Sequence, residues 1–305
     1  MFKTFGRHFS NGPLMLFLGY TLFGTVPLIV KYLSQMGLSA AQIVFVRFLL
    51  CSLFVVLVAI FKLQPLRAYN KRALFFRGLT GGVSVFLWFL ALQFTTAAKG
   101  TLLSYTHSIW ANVFNAVFLK QHPHRGFWPM LSLACLGVYL VLDPSMSAIN
   151  LGDILALTAG AIAGVAVLTI KEARKTDNAI SVFASFSWIG LATSVVFMLL
   201  PIAAGNEMSW SDVVHTPNAI ELLVLMGVVS TVGQLLFTHG YGNASVALGT
   251  VLSLLVPILT ACGESLLFGR SVTPQFIFGA SLVLAACAIS GGLERRDRIL
   301  REEVI

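Results

Sequence analysis

Gly100-Thr101-Leu102-Leu103-Ser104 returns later in the chain as Gly249-Thr250-Val251-Leu252-Ser253. The echo opens two apolar segments that align without a gap from Ala98/Ala247 to Ser132/Ser281, matching at Ile109/Ile258 and Phe127/Phe276, with the match Leu133/Leu282 directly after. A second echo pairs Gly24, Leu28 and Lys31 with Gly164, Leu168 and Lys171. The chain is therefore a doubled unit. The doubling divides it into 1–145, 146–293 and a charged tail, 294–305.

The 305 residues are 57% hydrophobic and only 10% charged, where soluble domains carry roughly 25% charged residues. Apolar runs reach the ~20 residues a helix needs to cross a bilayer. The short alternating segments of a membrane barrel are absent. The pattern predicts an all-α integral membrane protein with about ten transmembrane helices. They fall at 13–33, 40–61, 74–94, 99–119, 126–143, 151–171, 179–203, 219–239, 244–267 and 274–293. The longest linker is Gly205–Asn218. The tail reads as a short exposed helix or an unstructured end.

The net charge of +8 does not point to nucleic acid, because no basic stripe carries interleaved aromatics. The basic residues flank the spans instead. With the N-terminus inside, one face holds Lys3, Arg7, Lys62, Arg67, Lys71, Arg72, Arg77, Lys120, Arg125, Lys171, Arg174, Lys175, Arg295, Arg296, Arg298 and Arg301. The other holds Lys31, Lys99 and Arg270, and Arg47 lies within a span. This asymmetry puts both termini in the cytoplasm. Five spans per unit is an odd number, so the second unit enters the membrane upside down. Two inverted five-helix repeats are a recurrent design for moving a solute past a midplane site. The N-terminal stretch has a signal peptide's charge order, but its apolar run is too long and no cleavage site follows, so it reads as a retained span.

The paired stretches Ala97–Leu119 and Ser245–Phe268, the opening Leu151-Gly152-Asp153 and the pair Arg47-Phe48 together resemble the drug/metabolite transporter superfamily, in its EamA-type branch. The resemblance covers nearly the whole chain. It implies a carrier of small metabolites in the bacterial inner membrane. It also implies a cavity between spans one to four and six to nine, with spans five and ten peripheral. Ser108 and Lys120 depart from the proline and acidic residue common in that family. The resemblance implies export of amino acids or related metabolites first, and uptake of a nucleoside-like metabolite such as S-adenosylmethionine second. A lipid or isoprenoid-carrier flippase is a third reading.

Gly249, Ser253, Pro257, Thr260 and Glu264 share one face of span nine, and Gly100, Ser104, Ser108, Ala111 and Asn115 share one face of span four. Such faces serve helix packing or line a cavity. A carboxylate inside a span marks a pathway or an ion pair. Arg47 and Glu264 fall at similar depth, either as a pair closing the outer mouth or as two groups snorkelling separately. His107 can relay a proton or stay neutral at a helix contact. Trp88, Tyr105 and Trp110 can stack on a ring or pack the core. The candidate cavity residues are thus Arg47, Trp88, Tyr105, His107, Trp110, Asn115, Gln234, Ser253 and Glu264, with Pro27 and Pro257 shaping their helices.

Cys51, Cys135, Cys262 and Cys287 read as small packing residues. His122 and His124 lack the further ligands a metal needs. No phosphate-cradling motif or hydrolase signature is present. The sequence therefore points to no enzyme activity, cofactor or metal. The expected partners are a small-molecule solute and membrane lipid, not nucleic acid. A homodimer is compatible with this reading.

Overall fold

A computed structural model describes residues 12–118, 126–142, 149–199, 208–244, 246–269 and 272–302. Every regular element among them is helical. Span one is α1 (Gly12–Phe23) and α2 (Val26–Gln35); α3 (Ala40–Ile60) and α4 (Lys71–Phe94) follow. Span four is α5 (Ala97–Ser104) and α6 (His107–Phe118), then α7 (Phe127–Leu142), α8 (Leu151–Ala173) and α9 (Ala179–Met198). A short α10 (Trp210–His215) precedes α11 (Ala219–Asn243). Span nine is α12 (Val246–Ser253) and α13 (Leu255–Phe268), and α14 (Pro274–Glu302) ends the chain. Seven runs are long and apolar enough to cross a bilayer, and Trp128–Val141 and Pro274–Ile289 are shorter apolar helices. The split span four makes ten.

The structure revises several boundaries. Part of the linker 205–218 is helical, as α10, and residues 294–302 continue α14 without a break. Cys51 and Cys287 are buried, but Cys135 and Cys262 are exposed, so only two of the four cysteines pack the interior.

Helix starts follow local capping chemistry. Ser39 and Gln42 form a reciprocal capping box at α3, as do Asn150 and Asp153 at α8. Asn70, Thr96 and Asn178 each accept a backbone N–H at the starts of α4, α5 and α9. These side chains satisfy donors that a helix leaves unpaired. The polarity of the bundle is inverted relative to a soluble protein. Phe17, Leu57, Ile60, Trp128, Val196 and Leu266 are exposed, while Arg47, Arg77, Gln234 and Glu264 are buried. An outward apolar surface of this extent suits lipid contact.

The two halves make each other's contacts. α1 packs along α11, and α8 packs along α4, so the first span of each half lies on the third span of the other. Equivalent bonds also repeat within each half: Lys31 donates to the carbonyls of Leu92 and Thr95, both at 2.8 Å, at the end of α4. Lys171 donates to those of Tyr241 (3.1 Å) and Ala244 (2.9 Å) at the end of α11. A Cβ on Gly24 would lie 2.7 Å from Leu259, and one on Gly164 would lie 2.8 Å from Trp110. Trp110 and Leu259 are related by the same offset as Gly100 and Gly249. α3 packs on α9, and α7 pairs with α14 through Gly137 and Gly279 at the edge.

Spans one, four and nine are broken. Pro27 is the second residue of α2, and its ring excludes the carbonyl of Phe23 four residues earlier, where α1 stops. Pro257 excludes Ser253 in the same way, where α12 stops. Span four breaks at Tyr105–Thr106 with no proline. There the Thr106 hydroxyl and N–H both donate to the carbonyl of Leu103, at 2.7 and 3.3 Å. Position 108 is in the first turn of α6, where proline costs least. Ser108→Pro should therefore change stability by no more than about 1 kcal/mol, whereas Val113→Pro inside α6 should cost about 3 kcal/mol or more. Thermal melts of the purified variants check this.

Candidate functional site

A partly open cavity lies between the two halves, with about 680 Å³ of empty space when the solvent-continuous part is included. Its walls come from seven spans: Tyr20 and Phe23 of α1, Arg47 of α3, Arg77, Ser84 and Trp88 of α4, and Ser104, Tyr105 and His107 at the span-four break, with α8, Phe186 of α9 and Gln234 of α11 closing it. Small residues Ala159, Ala163 and Ala166 along α8 leave the space open.

Two buried arginines dominate the cavity. Arg47 is 1% exposed and Arg77 is 3% exposed. The guanidinium carbon of Arg47 lies over Phe89 (5.3 Å), Phe23 (5.8 Å), Phe48 (5.9 Å) and Phe186 (6.0 Å). That of Arg77 lies 4.3 Å from the centre of the same Phe186 ring. The two cations are therefore within about 10 Å of each other. Gly81 makes room for Arg77: its missing Cβ would overlap the Arg77 Nη1 one turn below.

Neither guanidinium meets a carboxylate. The two ion pairs among the described residues are Lys99–Asp153 (3.1 Å) and the exposed Lys175–Glu172. Buried donors without a partner cluster here instead: Arg47 Nε and Nη1, Arg77 Nε, Trp88 Nε1, Gln234 Nε2 and the Ser104 hydroxyl. A desolvated cation costs several kcal/mol, and each cation–π contact returns only about 0.5–2 kcal/mol. At an effective dielectric of ~20, two unit charges 10 Å apart repel by a further ~1.7 kcal/mol. An anion in this cavity would relieve both terms.

One side of the cavity is closed by aromatic hydroxyls and rings. Tyr20 and Tyr241 share a hydrogen bond of 2.9 Å, and Phe237 stands edge-on to both rings. On another side, Trp88, Tyr105 and His107 meet edge to face, with centroids 6.1 and 5.1 Å apart.

The structure thus brings together Arg47, Trp88, Tyr105, His107 and Gln234 of the sequence-derived set. Three of the others, Trp110, Ser253 and Glu264, are not on the cavity wall. Trp110 stacks on Phe114 at 5.9 Å and backs onto Gly164. Ser253 is buried at the end of α12, off the cavity wall. The side chain of Asn115 lies outside the described ones, as do His122 and His124. Glu264 accepts from the backbone N–H groups of Ala97 (3.1 Å) and Ala98 (2.6 Å), the first two residues of α5. It acts on a helix N-terminus, where a carboxylate is favoured. The suggested Arg47–Glu264 ion pair is not formed in this structure.

Arg77 corrects the sequence reading, which placed it among the loop charges. It sits a little under two turns inside α4 and faces inward. Its mark in the sequence is the spacing Arg77-x-x-x-Gly81-Gly82, a long side chain one turn before residues that leave it space. Tyr20, Ser84 and Phe186 carry no comparable signal.

Comparison with known proteins agrees with this architecture. A "Pseudopaline exporter CntI" of Pseudomonas aeruginosa strain UCBPP-PA14 is 25% identical over 282 residues, covering 91% of this chain and 95% of its own. An "Uncharacterized transporter" of Helicobacter pylori strain J99 is 26% identical over 303 residues, covering 95% and 96%. A solved crystal structure superposes with a TM-score of 0.66 over 94% of this chain and 98% of its own; at 17% identity this shows a shared fold. The EamA-like transporter family matches residues 10–143 and again 150–292, so the chain, matched in both of its halves, belongs to that family.

Proposed function

We propose that this protein is a secondary carrier that exports amino acids or related small metabolites across the inner membrane by alternating access. The two units, 1–145 and 146–293, lie antiparallel with both termini in the cytoplasm. The observation that carries this reading is the cavity with two uncompensated arginines, enclosed by halves that exchange equivalent contacts. A resting site with surplus buried charge is built to accept a solute that completes it. The site set is Arg47, Arg77, Trp88, Tyr105, His107 and Gln234. Similarity to an exporter supports the direction.

Each end of the cavity has its own closure. On the outer side Gln42 Nε2 donates to the Met208 carbonyl (2.8 Å), and Lys99 pairs with Asp153. On the cytoplasmic side Asp177 accepts from the N–H groups of Tyr69 (2.7 Å) and Asn70 (3.1 Å), and Asn178 donates to the Pro65 carbonyl (2.8 Å). Alternating access opens one set while the other holds. S-adenosylmethionine fits this cavity less well, because its sulfonium and ammonium would face two guanidinium groups.

Purified protein in proteoliposomes should show saturable counterflow of labelled amino acids or acidic amino-acid derivatives, accelerated by unlabelled solute inside. Flux without such acceleration by any internal solute would point to a channel and defeat the carrier reading.

A further inference from the structure

We infer that the cavity selects a solute bearing two carboxylates, joined by a short apolar or aromatic segment. This rests on the carrier reading and specifies its cargo. The partnerless donors come from four helices: Arg47 on α3, Arg77 and Trp88 on α4, Ser104 on α5 and Gln234 on α11. One carboxylate offers about four acceptor positions, fewer than the unpartnered N–H and O–H groups of these five side chains. The two guanidinium groups both lie against Phe186, so each can take one end of a dianion while the ring contacts its middle. Planar forks match a carboxylate bidentately, as they do a phosphate, and two separate guanidinium groups on one ring suit two separated anionic groups better than one.

The charge balance points the same way. A free neutral amino acid would leave both positive charges uncompensated overall. Its ammonium group would meet no carboxylate, since neither Asp153 nor Glu264 lines the cavity. A dianion cancels both charges. The Tyr105 hydroxyl and the His107 ring line the wall between the two ends, where they can hydrogen-bond a substituent; the Tyr20 and Ser84 hydroxyls on the same wall are engaged with Tyr241 and the Gly81 carbonyl.

The test uses the full chain in proteoliposomes and in detergent. The probes are glutarate, adipate and homophthalate, with monomethyl glutarate, γ-aminobutyrate and cadaverine as matched solutes of lower or opposite charge. At least one dicarboxylate should raise the melting temperature and should exceed the matched solutes in counterflow by about tenfold or more, as loss of a buried charge-assisted pair implies. Arg47→Gln and Arg77→Gln should each bring the preference for glutarate over its monoester close to one, a ratio that a purely structural defect would not change. Arg47→Lys and Arg77→Lys should keep part of it. Equal or better binding of γ-aminobutyrate or cadaverine, or no dicarboxylate effect on melting, would overturn the assignment. Counterflow of γ-aminobutyrate without dicarboxylate binding would leave the carrier reading intact. Dicarboxylate binding with no counterflow of any probe would instead support the site and count against transport.

Discussion

Replacing Lys171 with methionine should lower stability by about 3 kcal/mol, and Lys31→Met should do the same. Each ammonium donates to two carbonyls at the C-terminal end of the third span of its own half. Those carbonyls have no onward partner within their helix, and they form the negative end of its dipole. Hydrogen bonds to charged groups contribute about 1.5–3 kcal/mol each, and carbonyls left buried without a donor add a desolvation cost. By the scaling known for folded domains, the midpoint of a thermal melt should fall by roughly 5 °C. The two lysines sit at opposite ends of the bundle, so the double variant should be additive within about 0.5 kcal/mol. Lys175→Met is the control. Its partner Glu172 is exposed and lies on the same turn of the chain, so the loss should stay within about 0.5 kcal/mol.

Gly160→Leu should leave no transport-competent protein. A Cβ at Gly160 would lie 2.8 Å from the Ser104 carbonyl oxygen, 3.0 Å from Thr106 Oγ1 and 3.1 Å from the Leu103 carbonyl oxygen. Two of these atoms are backbone, at the point where span four changes from α5 to α6. They cannot rotate aside like a flexible side chain. Even Gly160→Ala should cost about 1–3 kcal/mol through overpacking, and leucine should separate α8 from the break and deform the cavity wall. The measurements are folded yield by size-exclusion chromatography and counterflow rate. Gly292→Leu tests the specificity of the effect. A Cβ there meets nothing within 4 Å, so normal yield and rate are expected, with a small gain in helix propensity.

The doubled architecture was legible because repeats preserve the residues that set helix packing. The Lys31/Lys171 and Gly24/Gly164 echoes are matched by equivalent contacts in the two halves. Two of the three breaks were legible too, since Pro27 and Pro257 act on their own chain four residues away. The break in span four was not. It depends on Thr106 bonding back to Leu103 and on Gly160 allowing α8 to come close, and the second of these is not local.

The site was legible in part. Arg47 stood out because its neighbours in sequence are apolar. Arg77 did not, because a basic residue near a helix start also suits a membrane boundary. Glu264 was read as a cavity or ion-pair carboxylate, or as one snorkelling to the headgroups, and the structure buries it at the start of α5 instead. Among its partners are the backbone N–H groups of Ala97 and Ala98, which every non-proline residue carries and which no side-chain pattern can announce.

By itself, the sequence determined that this chain is helical, doubled and embedded in lipid, because hydropathy, periodicity and repetition act along the chain. Tertiary structure alone decided which charges share one chamber and which are consumed in holding helix ends. That choice depends on side-chain direction and on the approach of distant backbones. Arg47 and Arg77 both lie a little under two turns into neighbouring helices, and packing around Phe186 sets both on the same space.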